Sequence, residues 1–260
     1  MLEKKILDPK IIRKHILTMA YTGQSAHVAC AFSIVDILCS LFQVMNFDPS
    51  DPNRDFLILS KGHGVMALYA CLFELGLLPK EDLDRYFKDG SRLHGLAEPG
   101  LPGIEFATGS LGHGLPIAVG IAYGLKQKRS AQMVYCIVGD GEMQEGSCWE
   151  AIQFAAHHKL NNLTLIVDNN EFQAMGKTKE ILGGRLHERL HTFGFAARSV
   201  YGPDAKELKR NLRLGHAGCP IAIVAFTAKG HGVTFMENDN AWHYKRLSAE
   251  AYHDAMLEQE

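Results

Sequence analysis

Residues 134–170 read VYCIVGDGEMQEGSCWEAIQFAAHHKLNNLTLIVDNN, two apolar runs separated by a segment of helical length. The run 134–138 leads into Gly139-Asp140-Gly141, and the run 163–167 leads into Asp168-Asn169-Asn170. Unalternating apolar runs are typical of parallel strands that helices cover on both faces. The carboxyl ends of such strands lie side by side at the edge where ligands bind. We therefore expect Asp140 and Asn170 to lie close together.

Asp140 and Asn170 carry the hard oxygen atoms that Mg²⁺ prefers, and Mg²⁺ completes its shell with phosphate oxygens and water. An Asp between glycines and an Asn-Asn pair are each ordinary turn chemistry when they are taken alone. Together, at the ends of two strands joined by a helix, they indicate a magnesium–diphosphate site.

The rest of the chain continues the alternation of strand and helix. Predicted strands cover residues 56–59, 133–138, 163–168, 195–200 and 221–226, and predicted helices cover 28–42, 64–76, 112–129, 147–158, 186–193 and 205–216, after a first helix that starts at Asp8-Pro9. A final short helix ends the polar tail. This order predicts an α/β fold with a mostly parallel sheet flanked by helices on both faces, in a single domain 1–260. The Gly- and Pro-rich stretch 90–114 is long for a loop, which favours a functional role.

Composition excludes several classes of protein. The 260 residues are 47% hydrophobic, and the formal charge of −2 gives no reason to expect nucleic acid or an anionic membrane as a partner. The six cysteines contain no C-x-x-C pair, which favours buried reduced thiols over disulfides or zinc. The N-terminus lacks the pattern of a signal peptide, and 28–42 is too short to span a bilayer. We expect a cytoplasmic protein without a membrane partner.

The stretch 139–170 resembles the thiamine-diphosphate fingerprint of transketolases. Three further segments resemble that family in the same order: L-S-K-G-H at 59–63, T-G-S-L-G-H-G at 108–114, and K-G-H-G-V at 229–233 followed by Trp242-His243. The match runs from about residue 10 to residue 247. It implies the thiamine-diphosphate-binding fold of the family's diphosphate-binding domain.

The resemblance implies that the cofactor is thiamine diphosphate and assigns residues to it. Asp140, Asn170 and the backbone carbonyl of Phe172 would hold Mg²⁺, with Ca²⁺ or Mn²⁺ as alternatives. The other implied cofactor-binding residues are Gly141 at a phosphate oxygen; His63, Lys229 and His243 around the diphosphate and thiazolium; and Gly109, Ser110 and Leu111 against the aminopyrimidine.

The resemblance also assigns catalytic roles to His27, His63, His243 and Glu145. His27 and His243 would face the sugar, since imidazole can donate or accept hydrogen bonds near pH 7. Glu145 matches a buried acid near the subunit interface. From the residues alone, two alternatives stay open: His27 could simply begin a helix, and Glu145 could be a first-turn acid that favours a helix N-terminus.

Two positions depart from the family pattern. Where the family has G-H-P-E, this chain reads Gly95-Leu96-Ala97-Glu98, so Leu96 replaces a substrate-facing histidine. Loss of a hydrogen-bond donor there would change which ketose or aldehyde is preferred, unless His94 compensates. His113 replaces a glutamine beside the cofactor, an exchange that we expect to be tolerated.

The resemblance covers only the first transketolase domain, whereas the second domain supplies the glutamate that protonates the aminopyrimidine N1′. We therefore expect an N-terminal subunit of a two-component transketolase that is inactive without a separate C-terminal subunit. The two would assemble as an α₂β₂ heterotetramer. The enzyme would transfer a two-carbon ketol unit from a ketose, often phosphorylated, to an aldose.

Two alternatives remain open. One is a subunit of another thiamine-diphosphate enzyme, either a carboligase or the α chain of a 2-oxo acid dehydrogenase. The other is a non-catalytic subunit that only binds the cofactor. A dinucleotide-binding domain does not fit, because no G-x-G-x-x-G lies at a strand-to-helix turn.

Overall fold

The computed structural model describes residues 5–215 and 218–260. Its strands are β1 (Phe56–Leu59), β2 (Val134–Gly139), β3 (Leu163–Asn169), β4 (Phe172–Gln173), β5 (Gly176–Lys177), β6 (Ala196–Tyr201) and β7 (Ile221–Phe226). Five of them form one parallel sheet in the order β1-β2-β3-β7-β6. The short strands β4 and β5 form a separate antiparallel hairpin.

Helices connect and cover the strands. They are α1 (Pro9–Gly23), α2 (Val28–Phe32), α3 (Val35–Val44), α4 (Val65–Glu74), α5 (Lys80–Asp84), α6 (Gly114–Gln127), α7 (Gly146–His157), α8 (Thr178–Leu182), α9 (Leu186–Thr192), α10 (Ala205–Arg213) and α11 (Ala249–Leu257). Single 3₁₀ turns cover Gly62–Gly64, Glu142–Gln144 and Asn240–His243. None of the described helices is long and apolar enough to cross a membrane.

The sheet separates two hydrophobic cores, because successive side chains of a strand point to opposite faces. In β1, Leu57 and Leu59 join the core formed with α1 to α4, whereas Ile58 joins the core formed with α6 and α7. Helices therefore cover both faces, and β1, β2, β3 and β7 are almost entirely buried, which explains their lack of polar alternation, whereas the edge strand β6 is more exposed. The predicted fold class is confirmed.

The predicted helix over 28–42 is wrong in one respect, because the structure divides it into α2 and α3. Ser33 and Ile34 lie between the two helices, and Ile34 has φ −103° and ψ 2° instead of helical angles. The Ser33 hydroxyl points inward and donates to the Asp168 carboxylate at 2.6 Å. A buried polar contact thus accompanies a break that the apolar pattern does not show.

Other predicted boundaries shift by one to three residues. The predicted helix 112–129 is α6, and the predicted strand 195–200 is β6. The predicted helix 205–216 ends at Arg213, and its predicted last residue, His216, lies outside the described residues. The predicted first helix starts as expected, since the Asp8 side chain accepts from the backbone N–H of Lys10 at 2.9 Å. The short elements β4, β5, α5 and α8 were not predicted.

The carboxyl ends of β1, β2, β3 and β7 meet at one edge of the sheet. Gly139 pairs with Asp168, and Asn169 pairs with Phe226. The residues that follow these strands are therefore neighbours although they are far apart in sequence.

Candidate cofactor and active site

Asp140 follows β2 and is buried, with 3% of its surface exposed. One carboxylate oxygen accepts from the N–H of Gly141 at 3.0 Å, and the other accepts from the Thr178 hydroxyl at 2.8 Å. No cationic side chain in the described part of the chain forms an ion pair with it. Burial, reinforced by the charge of Asp168, raises the pKa of Asp140 to about 6. The site therefore contains a buried carboxylate that a cation would stabilise.

Asn170 follows β3 and is also buried. Its Oδ1 accepts from the N–H of Phe172 at 3.0 Å, which turns the chain into the β4–β5 hairpin. Its Nδ2 donates to Asp168 at 2.9 Å, and the backbone N–H of Asp140 donates to the carbonyl of Asp168 at 3.1 Å. Asp140 and Asn170 are thus both anchored on Asp168, which brings the predicted metal ligands to one place.

These residues fit a magnesium–diphosphate group. The donor set consists of oxygen atoms from a carboxylate, an amide and a backbone carbonyl, which suits Mg²⁺. The Asp140 carboxylate has no cationic partner among the described residues, as noted above. A buried carboxylate without a cationic partner is a feature that a bound cation would satisfy.

Asp168 is the centre of a buried polar network that the sequence did not reveal. Its side chain is 0% exposed and accepts from Ser33, Asn170 and Thr227. It also forms a buried ion pair with Lys61, whose ammonium donates to the Cys30 carbonyl at 3.1 Å. Burial would lower the pKa of Lys61, but the charge and hydrogen bond of Asp168, together with smaller contributions from Cys30 and Asp140, outweigh it, and the pKa lies above its ordinary value. One sequence signal was available: a charged residue ending an apolar strand must find a partner when it is buried.

Glu142 is the second residue that sequence reasoning missed. It lies in the 3₁₀ turn after Gly141 and is 2% exposed. Its carboxylate accepts from the Ser60 hydroxyl at 2.5 Å, from the N–H of Gly112 at 2.9 Å and from the N–H of Gly139 at 3.1 Å. Burial raises its pKa. Glu142 therefore ties the loop that precedes α6 to the end of β2.

Glu145, the acid assigned a buried position from the resemblance, is exposed in this chain. It is the N-cap residue of α7 and makes no side-chain capping bond. Its side chain lies beside Gly112, where an added Cβ would come within 2.6 Å of the Glu145 Cβ. Glu145 thus lies at the surface next to the cofactor loop.

His27, His63 and His243 form one cluster, as the resemblance implied. Their ring centroids are 5.4 Å apart for His27 and His63, 5.2 Å for His27 and His243, and 6.0 Å for His63 and His243. His27 has φ +68°, in the left-handed region, and its N–H donates to the His243 carbonyl at 3.2 Å. His27 does begin α2, but its ring points into the cluster.

Lys229 fixes the tautomer of His243, and burial sets the protonation state of the cluster. Its ammonium group lies 2.9 Å from Nδ1 of His243 and 2.7 Å from Oδ1 of Asn240. Because an ammonium group can only donate, Nδ1 of His243 accepts, and the proton of the neutral ring is on Nε2. Burial, followed by the charge of Lys229, lowers the pKa of His243 to about 3. Burial is also the largest cause that lowers the pKa of His27 and the pKa of His63 below the ordinary value. The three rings are therefore neutral near pH 7.

Lys229 connects the histidine cluster to the predicted metal site. Its ammonium group lies 5.7 Å from the centroid of the Phe172 ring, and Phe172 follows Asn170 by two positions. Burial is also the largest cause that lowers the pKa of Lys229. The predicted diphosphate and sugar ends of the site are therefore adjacent.

The loop residues Gly109, Ser110 and Leu111 are exposed. They follow Thr108, whose hydroxyl donates to the Leu59 carbonyl at 2.6 Å, so the base of the loop is fixed to the end of β1. Gly112 has φ +80°, and an added Cβ there would come within 2.5 Å of the Ser147 hydroxyl. The loop is anchored at both ends and open in the middle.

Leu96 packs against this loop, since a Cβ on Gly109 would come within 2.7 Å of a Leu96 methyl carbon. The side chain remains 38% exposed. Both ring nitrogens of His94 already have partners, since Nδ1 pairs with Glu98 at 2.7 Å and Nε2 lies 3.1 Å from the Ser91 carbonyl. His94 therefore has no free ring nitrogen with which to replace the missing histidine. The structure therefore offers an apolar group beside the loop. His113, the other departure, is exposed.

Residues 9–256 match the family described as transketolase, thiamine diphosphate binding domain. An apulose-4-phosphate transketolase subunit of Actinobacillus succinogenes is 41% identical over 94% of this chain and 90% of its own. The 6-deoxy-6-sulfo-D-fructose transketolase subunit SqwG of Clostridium sp. strain MSTE9 is 36% identical over 96% of this chain and 94% of its own. The crystal structure of transketolase from Campylobacter jejuni superimposes with a TM-score of 0.86 at 28% identity, over 97% of this chain but only 43% of that one.

Proposed function

The chain belongs to the transketolase family, and from this premise we propose that it is the cofactor-binding subunit of a two-component transketolase. The proposed reaction transfers a two-carbon ketol unit from a ketose or ketose phosphate to an aldose. The observation that carries the proposal is that Lys229 links two features at one sheet edge. One is a set of oxygen ligands whose carboxylate has no cationic partner among the described residues, and the other is a cluster of three neutral imidazoles.

In the proposed site, Asp140, Asn170 and the carbonyl of Phe172 hold Mg²⁺, and Gly141 brings its backbone close to a phosphate oxygen. Thiamine diphosphate, when bound, supplies the stabilisation of a carbanion, while the protein binds and orients. Gly109, Ser110 and Leu111 are proposed to contact the aminopyrimidine ring. Their exposure in this chain leaves them accessible to it.

The chain's own side chains act on the sugar. Lys229 holds His243 with its Nε2–H as a donor, a direct consequence of the hydrogen bond at Nδ1. His27 and His63 are neutral and can each offer one donor and one acceptor. Neutral imidazoles that both donate and accept match sugar hydroxyl groups, which also donate and accept. A substrate carboxylate only accepts and would require a site made of donors. This favours a ketose over a 2-oxo acid as the donor substrate.

The proposed partner is a separate C-terminal subunit, in an α₂β₂ heterotetramer with a cytoplasmic location. Two kinds of observation support a partner. Relatives that are themselves named as transketolase subunits have nearly the length of this chain, which covers 90% of one and 94% of the other. In addition, Glu145 and the loop residues Ser110 and Leu111 are exposed beside the proposed cofactor, and the resemblance places Glu145 near a subunit interface.

The proposal is tested by assaying the chain with and without a candidate C-terminal transketolase subunit. We expect the chain alone to bind thiamine diphosphate in the presence of Mg²⁺ without turning over a ketose phosphate, and the mixture to turn it over. Turnover by the chain alone would contradict the two-component assignment. Turnover of pyruvate but not of ketoses would favour the carboligase or 2-oxo acid alternative.

A further experiment addresses the non-catalytic alternative. Asp140→Ala in the assembled complex is expected to weaken cofactor binding and to lower turnover with it. If it weakens binding and leaves turnover unchanged, the chain only binds the cofactor and the catalytic proposal is wrong.

A further inference from the structure

Tyr244 is an aromatic residue beside the histidine cluster to which neither the resemblance nor the sequence assigns a role. Its ring centroid lies 4.6 Å from that of His243 and 5.5 Å from that of His27. These are the two histidines that are proposed to face the sugar, and His63 neighbours the same two rings. Tyr244 is therefore a fourth ring of the cluster.

Tyr244 lies on the solvent side of the cluster. It is 62% exposed, whereas His243 is 9% exposed and both His27 and His63 are half-buried. A single exposed aromatic residue needs no explanation by itself. Here, however, the exposed ring lies against two more deeply placed imidazoles. A molecule that reaches these imidazoles from solvent therefore passes beside the ring of Tyr244.

The backbone that carries Tyr244 is fixed. Its N–H donates to the Ala241 carbonyl at 3.4 Å, and the N–H of Lys245 donates to the same carbonyl at 3.0 Å. The preceding carbonyl, that of His243, accepts from the N–H of His27 at 3.2 Å. The ring thus has a defined position although it is exposed. A rigid aromatic side chain held in this way offers contact area at a low cost in conformational entropy.

The chemistry of the ring restricts which part of a substrate it can contact. When the oxygens of the ketol unit bond to the imidazoles, the rest of the sugar chain extends towards the solvent side, where Tyr244 lies. The face of an aromatic ring packs against apolar C–H groups, and a neutral phenol cannot balance the charge of a phosphate or carboxylate. The ring therefore suits the uncharged carbon chain that follows the ketol unit.

We propose that Tyr244 is a specificity-determining residue: its ring packs against the sugar chain beyond the transferred two-carbon unit. The inference rests on the proposed function and extends it from the reacting carbons to the remainder of the ketose. Binding energy from the non-reacting part of a substrate can accelerate reaction at the reacting centre. A donor that lacks this part gains nothing from Tyr244.

The test compares two kinds of donor in the assembled enzyme. Fructose 6-phosphate and xylulose 5-phosphate are the ketoses. Hydroxypyruvate carries the same two-carbon unit on a carboxylate, which leaves as CO₂, and has no sugar chain. We expect Tyr244→Ala to lower kcat/KM for the ketoses by about tenfold and to leave kcat/KM for hydroxypyruvate within about twofold of the parent.

The hydroxypyruvate reaction also shows that the variant is folded and assembled. If the parent does not use hydroxypyruvate, the short ketose erythrulose takes its place, and the loss in Tyr244→Ala should be smaller for erythrulose than for the longer ketoses.

Two further variants control for the ring and for its exposure. Tyr244→Phe keeps the ring and should retain kcat/KM for the ketoses to within about threefold, because an exposed hydroxyl contributes little net hydrogen-bond energy. Tyr201→Ala removes a tyrosine on β6 that is also 62% exposed. It should change kcat/KM for neither kind of donor.

Equal losses for both kinds of donor in Tyr244→Ala would mean that Tyr244 only supports the imidazoles or the contact between subunits, and would overturn the inference. No loss in Tyr244→Ala would overturn it as well, and so would a loss of the same size in Tyr244→Phe. Failure of the proposed function gives a different result: the parent complex itself would turn over no ketose, which overturns both.

Discussion

Asp140 and Asp168 are buried carboxylates at the ends of neighbouring strands, yet their surroundings differ. Asp168 accepts from Ser33, Asn170 and Thr227 and is neutralised by Lys61. Among the described residues, Asp140 accepts only from a hydroxyl and a backbone N–H, and its pKa is raised to about 6. In the described part of the chain, Asp168 has a cationic partner and the adjacent Asp140 forms no ion pair. The first carboxylate is structural, and we interpret the second as reserved for an external cation.

The comparison predicts the largest loss of stability at Asp168. Asp168→Ala leaves the Lys61 ammonium group buried, 1% exposed, without its counter-charge. We expect the free energy of unfolding to fall by about 3–5 kcal/mol, the usual cost of breaking a buried pair. Urea-induced unfolding measures it.

A double variant serves as the control for Asp168. Lys61→Met combined with Asp168→Leu removes both charges, so it should be less destabilised than Asp168→Ala alone. If the single variant lost less than about 1 kcal/mol, as a surface pair does, Asp168 would not have the structural role assigned to it.

The histidine cluster is a third buried group of titratable side chains, and it makes the free energy of unfolding depend on pH. The pKa of His243 is about 3 in the folded chain, below the value of about 6.5 in an unfolded chain. The folded state therefore binds fewer protons, and the stability contributed by this difference is present above pH 6.5 and lost as the pH falls toward 3. Between pH 7 and pH 4 this amounts to about 3 kcal/mol.

Unfolding by urea at pH 7, 6, 5 and 4 measures this contribution, with His243→Asn as the matched variant. The variant should lose stability less steeply on acidification than the parent. The contribution of Asp140 has the opposite sign, since a raised carboxylate pKa favours the folded state at low pH, but it is common to both proteins and cancels. Parallel pH profiles would mean that His243 is protonated as easily in the folded chain as in the unfolded one.

At Asp140 we expect the reverse of the result at Asp168: a large effect on cofactor binding with little effect on stability. Asp140→Ala should weaken the Mg²⁺-dependent binding of thiamine diphosphate by about 100-fold, equivalent to about 2.7 kcal/mol. The free energy of unfolding at pH 7 should stay within about 1 kcal/mol of the parent or increase, because an unneutralised buried charge is removed. Calorimetric titration and urea unfolding provide the two values. A loss of stability as large as that of Asp168→Ala would erase the distinction between the two carboxylates.

The smallest effect concerns the substrate. Leu96→His adds a polar ring beside Gly109 without touching either carboxylate. We expect the ratio of kcat/KM between two ketose donors to change by about fivefold, or about 1 kcal/mol, in the assembled enzyme. Leu96→Met, which remains apolar, is the control and should leave the ratio unchanged. Equal effects of both substitutions would mean that the shape of the side chain matters there and its polarity does not.

The sheet and its ligand edge were predictable from the sequence because both depend on local patterns. Apolar runs define β2 and β3, and the parallel arrangement then places Asp140 beside Asn170. The Asp168–Lys61 pair depends on two residues 107 positions apart, and no local pattern indicates that distance. The contact of Asp168 with Ser33 was equally unpredictable, because a serine inside an apolar helical segment gives no sign that it will end the helix.

The two acids Glu142 and Glu145 show that prediction from sequence can also fail for residues that are close together in the chain. Glu142 and Glu145 are three positions apart, and the resemblance directed attention to Glu145. The 3₁₀ turn at 142–144 directs Glu142 inward to three donors, whereas Glu145 remains exposed. Which of two nearby acids is buried depends on that single turn, and its backbone angles do not follow from residue type.

The partners of Asp168 also have a consequence for the time course of folding. Ser33 and Lys61 precede Asp168 by 135 and 107 positions, and Thr227 follows it by 59 positions. Contacts of such separation form slowly, because long loops must close first. During synthesis on the ribosome, the set of partners around Asp168 therefore stays incomplete until β7 has emerged and docked. We expect the capacity to bind cofactor to appear only in the last kinetic phase of refolding, so that cofactor binding reports a completed fold.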